Sequence, residues 1–208
     1  MMPTNLFAYQ NTRHERAHSP RGYDRHEGYK PWLRDEFAFR CVYCLERELW
    51  YPDRAASFSV DHVISQAAAP GLALDYANLV YACTRCNSAK RDHRVLDPTT
   101  SAFGDHLRLG QNGVLVAMTA AGRRLITRLC LNEVPALRER QKYLRIVAIY
   151  LSQPDDARIA ALYSDLFGYP HDMPDLRALR PPGGNANPGS EDTCYFARAE
   201  RGELPATY

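Results

Sequence analysis

The chain has 208 residues, enough for one good core or for a compact domain with extensions on both sides, and 45% hydrophobic with 11% aromatic content excludes a largely disordered protein. A formal charge of +2 excludes reliance on the overall field to find nucleic acid, so any basic surface must be local. No stretch approaches the roughly 20 apolar residues of a membrane span, and the N-terminus lacks the apolar run of a secretory signal, so the expectation is a cytoplasmic protein without membrane contact.

Residues 1–30 are charged and poor in aliphatics, which predicts a flexible arm. In PWLRDEFAFR, Leu33 and Phe37, with Trp32, recur at helical spacing and predict a short helix leading into Cys41. FSVDHVI (58–64) alternates and is β-branched, and ANLVYAC (77–83) reads as a second strand, with Pro70 and Gly71 in the linker between them. After Cys83 the pattern turns helical to about Asp92, with Asn87, Lys90, Arg91 and Arg94 on one face. Asn112-Gly113 between alternating segments predicts a hairpin. Thr119 is placed to cap a helix running to about Leu131. A second helix follows, with Leu137, Gln141, Leu144, Ala148 and Leu151 on its inner side. A third begins at an acidic start, carries Ile159, Leu162, Tyr163 and Leu166 as its stripe, and stops at Gly168. PPGGNANPGS (181–190) has linker composition. The fold class is α+β, divided into an arm (1–30), a core (31–97), a hairpin plus helical extension (98–180) and a linker-like tail (181–208).

Four of the six cysteines stand as CVYC (Cys41, Cys44) and CTRC (Cys83, Cys86), a pattern that suits a reducing compartment and a metal better than a disulfide framework. Each Cys-x-x-Cys turn points two sulfurs at one centre, so the two pairs together predict a closed, structural Zn2+ site that stabilises the fold without catalysing. The interval between the pairs exceeds that of a zinc ribbon, so something folded must be inserted there. Cys130, in an apolar helical run, reads as a small core residue, and Cys194 carries no assignment.

The order Cys41-x-x-Cys44, Asp61-His62, Asn78, Cys83-x-x-Cys86-Asn87, Lys90 resembles the HNH endonucleases with a zinc-bound ββα-metal core, over residues 30–97. The resemblance implies hydrolysis of DNA phosphodiesters that leaves 5′-phosphate and 3′-hydroxyl ends, in a bacterial or phage restriction or defence setting. It makes His62 the general base, suited to the task as an imidazole neutral near physiological pH. Asp61 and Asn87 match the positions that hold a catalytic Mg2+ or Mn2+, and Asn78 the residue that ties the loop together. In a regular strand Asp61 and His62 face opposite sides, so sharing a site requires the strand to be distorted or ending there, which the family resemblance implies. Asn87 stands where many members have a second histidine. Lys90, Arg91 and Arg94 would suit backbone phosphates, whereas Arg138, Lys142 and Arg145 read as solvated surface. With no targeting motif in the sequence, DNA is joined as a partner by a regulatory ATPase or another protein subunit, or by a second copy of this chain. Two rivals are a catalytically silent, zinc-stapled module that binds nucleic acid or protein, and a redox or zinc-storage protein. The second leaves Asp61-His62 and Asn87 unexplained.

Overall fold

The computed structural model describes residues 6–208; the first five residues of the expected arm lie outside the described residues. In chain order the elements are α1 (Lys30–Glu36), β1 (Phe58–His62), β2 (Leu79–Cys83), α2 (Thr84–Lys90), β3 (Leu107–Leu109), β4 (Leu115–Ala117), α3 (Ala120–Arg128), α4 (Val134–Ser152), α5 (Ala157–Phe167) and α6 (Tyr195–Glu200). They fall into two units. One comprises residues 15–94 and 170–205, the other the described residues up to 14 with 95–169 and 206–208. Among the described residues no helix is long and apolar enough to cross a membrane.

In the first unit β1 and β2 form an antiparallel pair with register Phe58↔Cys83 through His62↔Leu79, and α2 follows β2 directly. Every residue of β2 is buried, as expected of a strand covered on both faces. Phe58 and Tyr81 stack across the pair with ring centroids 5.1 Å apart. Helix α1 carries Pro31 in its first turn, where no N–H is needed, and buries Trp32, Leu33, Arg34 and Asp35. Two of those four are charged, and their partners explain it. Arg34 grips the carboxylate of Glu48 with two bonds of 2.9 and 2.8 Å, while Tyr81 donates to the same carboxylate at 2.5 Å. Glu48 is 0% exposed, so this paired geometry is what makes its burial tolerable.

Asp35 organises both ends of this unit. Its Oδ2 meets His18 Nε2 at 2.9 Å, its Oδ1 accepts from the Tyr195 N–H at 2.7 Å, and His18 Nδ1 lies 3.0 Å from Ser190 Oγ. Arg16 donates to the carbonyls of Ala77 and Leu79 and lies over the rings of Phe37 and Tyr76. The segment expected to be a free arm is therefore docked from Glu15 onward, and part of the expected linker-like tail forms α6, capped by the buried Cys194. Neither segment buries much aliphatic surface. Both are held by polar side chains whose partners lie far away in the sequence.

In the second unit β3 and β4 pair antiparallel, with Leu109↔Leu115 nearest the turn. Asn112 and Gly113 sit at φ 54° and 77°, the left-handed region that makes this dipeptide a turn former. Thr119 caps α3 by accepting from Gly122 N–H, and Asp156 caps α5. Cys130 is not in the core as expected. It is half-buried beyond the end of α3, at φ 53°, while the next residue, Leu131, donates back to Ile126 O. On α4 the inner face is Ala136, Arg140, Tyr143 and Val147, one residue back from the expected leucine row, and Leu151 is exposed. The offset has a cause in Arg140, whose guanidinium donates to Gly113 O and Leu131 O and so claims the inner face despite its charge. On α5, Tyr163 and Phe167 are buried while Leu162 is exposed, and Tyr163 stacks on Tyr150 with centroids 3.9 Å apart.

Candidate active site and zinc centre

The first Cys-x-x-Cys closes as a knuckle. Leu45 N–H returns to Cys41 O and Cys41 N–H takes Glu46 O, with Leu45 at φ 61° to complete the turn. Val42 N–H donates to Tyr81 O, so the knuckle is tied to β2, whose last residue is Cys83. Cys86 then comes from the first turn of α2. All four thiols are buried, and their sulfurs lie within 4.8 Å of one another. The donor set itself shows what belongs there. Burial penalises charge on these sulfurs, so thiolates gathered this closely need a cation to answer them. Four thiolates at this spacing require a cation between them, and Cys41, Cys44, Cys83 and Cys86 fit a tetrahedral structural Zn2+. The closed set leaves no open coordination position.

His62 ends β1, and the loop after it is folded back by Asn78. The Asn78 side chain accepts from Ile64 N–H at 2.8 Å and donates to Ile64 O at 2.9 Å and Leu72 O at 3.1 Å. The residue after Leu72 is Ala73, whose carbonyl lies 3.0 Å from His62 Nε2. A carbonyl oxygen can only accept, so the tautomer that bonds Ala73 carries its hydrogen on Nε2 and keeps the lone pair on Nδ1, whereas the Gln66 amide nitrogen on the same Nε2 is served by the other tautomer. Burial pushes the His62 pKa below its ordinary value, opposed by the Ala73 bond and reinforced by the nearby His26. The surroundings therefore favour the neutral form of the ring. His26, from the turn before α1, packs edge-on to His62 with centroids 4.9 Å apart, and the Gln66 amide lies 3.1 Å from His62 Nε2 and 3.4 Å from His26 Nδ1. Sequence reasoning missed both: a single histidine in a charged segment has no spacing to mark it.

Asp61 is placed differently from the expectation. β1 stays regularly paired through His62↔Leu79, so the alternation of side chains turns Asp61 to the face opposite His62. There Tyr43 donates to Oδ2 at 2.6 Å and Lys90 to Oδ1 at 3.1 Å, and Lys90 also donates to His62 O at 2.5 Å. Burial pushes the Asp61 carboxyl up against the pull of Lys90 and Tyr43. Asn87 is occupied as well, its amide donating to Ser59 Oγ at 2.8 Å. Asp61 and Asn87 offer hard oxygen donors, yet as arranged they do not fit a divalent cation, because both carboxylate oxygens are taken and one of them by an ammonium. The phosphate-binding expectation for Lys90 is likewise corrected: it is 0% exposed. α2 ends at Lys90 and Arg91 turns to φ 50°, so Arg91 and Arg94 do not continue its face. Both are exposed.

Two comparisons meet this geometry. The family model described as HNH endonuclease matches residues 41–93. The Septu protein PtuB of Bacillus thuringiensis is 26% identical over 103 residues, covering 47% of this chain and 38% of that protein, so the match spans well under half of the relative's own length. No solved structure matches the chain significantly. The matched interval begins at Cys41, runs through β1, β2 and α2, and so takes in the four cysteines, Asp61-His62, Asn78 and Asn87. Residues 41–93 are an HNH endonuclease domain.

Proposed function

We propose that this chain is an HNH endonuclease acting on DNA, with His62 as the general base. The observation that carries the reading is the Ala73 carbonyl on His62 Nε2, which leaves Nδ1 of a neutral ring to accept a proton. Water loses that proton as it attacks phosphorus, the P–O3′ bond breaks, and the departing 3′ oxygen takes a proton from solvent, leaving a 5′-phosphate and a 3′-hydroxyl. Asn78 positions the base by fixing the loop that ends in Ala73. The Mg2+ or Mn2+ that the family resemblance implies would neutralise phosphate charge when bound. Arg91 and Arg94 are the exposed cations for the flanking phosphates. The setting is restriction or defence of bacterial or phage DNA. A charge of +2 gives no long-range pull on the duplex, so a second subunit, a regulatory ATPase or another copy of this chain, supplies the targeting.

The test is cleavage of supercoiled plasmid with Mg2+ present, comparing the wild type with His62→Ala at equal zinc content. Loss of the base lowers the rate ~10²–10⁴-fold. Equal cleavage by the variant refutes the assignment. One observation favours a second reading, a silent zinc-stapled binding module: Asp61 is locked by Lys90. DNA binding without cleavage by the wild type would decide for it.

A further inference from the structure

The contact between Asp61 and Lys90 joins the end of β1 to the last residue of α2. Lys90 is wholly buried, and an ammonium out of reach of water needs acceptors. It has two, Asp61 Oδ1 at 3.1 Å and the His62 carbonyl at 2.5 Å. The remaining oxygen of Asp61 takes the Tyr43 hydroxyl at 2.6 Å, so the carboxylate has no idle oxygen. A Mg2+ ion bound to Oδ1 at its usual ~2 Å would lie no more than about 5 Å from the ammonium, in surroundings too dry to screen the repulsion.

We infer that Lys90 holds the place at Asp61 that the family resemblance gives to a divalent cation, so that the cation reaches Asp61 only after Lys90 has left it. The backbone adds a second observation. The residue after Lys90, Arg91, sits at φ 50° and ψ −132°, a region natural to glycine and costly for a side chain. The bonds of Lys90 hold the end of α2 against this strained turn, and releasing them lets the turn relax. Loading the cation at Asp61 and re-forming the end of α2 are therefore one event. This rests on the HNH reading only for the expectation that a cation belongs at Asp61.

The experiment needs no nucleic acid and so stands apart from the cleavage assay. Mn2+ binding to the zinc-loaded full chain is followed by electron paramagnetic resonance for the wild type, Asp61→Asn, Lys90→Met and the double variant Asp61→Asn with Lys90→Met. Mn2+ does not displace zinc from four thiolates. The expected result is binding to Lys90→Met at least about tenfold tighter than to the wild type, lost again in the double variant. Wild-type binding as tight as that of folded Lys90→Met overturns the inference. If Lys90→Met fails to fold, the wild type decides alone: tight binding of one Mn2+ that Asp61→Asn abolishes overturns the inference, and no binding that depends on Asp61 upholds it.

Discussion

Replacing Asn78 by alanine tests the link between loop folding and the proposed base, His62. The side chain makes three bonds, to Ile64 N–H, Ile64 O and Leu72 O, at 2.8, 2.9 and 3.1 Å. Asn78 is only 6% exposed, so water cannot readily take over its role. At about 1 kcal/mol per bond the loss is about 3 kcal/mol, with the orphaned Ile64 N–H the costliest of the three groups. The perturbation also reaches the chemistry. Leu72 precedes Ala73, and a loosened Ala73 carbonyl no longer fixes which nitrogen of His62 carries the hydrogen. Urea denaturation should show a lower midpoint with an unchanged slope for the unit holding residues 15–94, and plasmid cleavage should fall more than ~10-fold, since a mispositioned base forfeits part of its advantage. Zinc content should stay the same, because Asn78 touches neither knuckle. A variant within about 0.5 kcal/mol of the wild type, or one that loses stability but cuts at full rate, would refute this account.

Cys83→Ser should lose zinc and solubility together, since the ion joins β2 and α2 to the upstream knuckle and its binding is largely folding free energy; a soluble, zinc-free and active variant would remove the structural role. The depressed pKa of His62 carries a sign for both rate and stability. With His62 as the proposed base, the acid limb of the cleavage profile should inflect below the ordinary histidine value of about 6.5. The unfolded chain takes up the proton first as pH falls, so the contribution of His62 to stability is lost below that value and regained above it. An inflection above pH ~7 would contradict the direction of the shift.

What could be read from the sequence depended on the range of the interaction. Cys41, Cys44, Cys83 and Cys86 announce themselves because a Cys-x-x-Cys turn is a local geometry, and β1, β2 and the Asn112-Gly113 turn follow from alternation and backbone preference alone. His18 and Arg16 gave no such sign. Their partners lie between 17 and 172 residues away, and a segment rich in charge and poor in aliphatics looks unfolded until those partners are known. Arg140 misled for a related reason. A periodicity argument assigns charged side chains to the outside, whereas this one satisfies two backbone carbonyls inside.

Asp61 and Lys90 mark the point where two sequence arguments disagreed. Strand alternation turns neighbouring side chains to opposite faces, while the family pattern puts Asp61 and His62 to work together. The register favours alternation, because pairing stays regular to the last residue of β1. Once Asp61 faces α2, its charge must be answered from that helix. α2 presents Asn87 and Lys90 one turn apart, and only Lys90 carries a charge to answer it. A lysine that helical periodicity assigns to the solvent is thereby drawn into the core, its stem buried and its ammonium fixed between a carboxylate and a carbonyl. The same pairing accounts for the end of α2. If Lys90 must point inward to meet Asp61, the chain has to turn away at the next residue, and Arg91 takes the left-handed φ that this requires. The buried ion pair and the abrupt helix end thus follow from the side on which the strand register places Asp61.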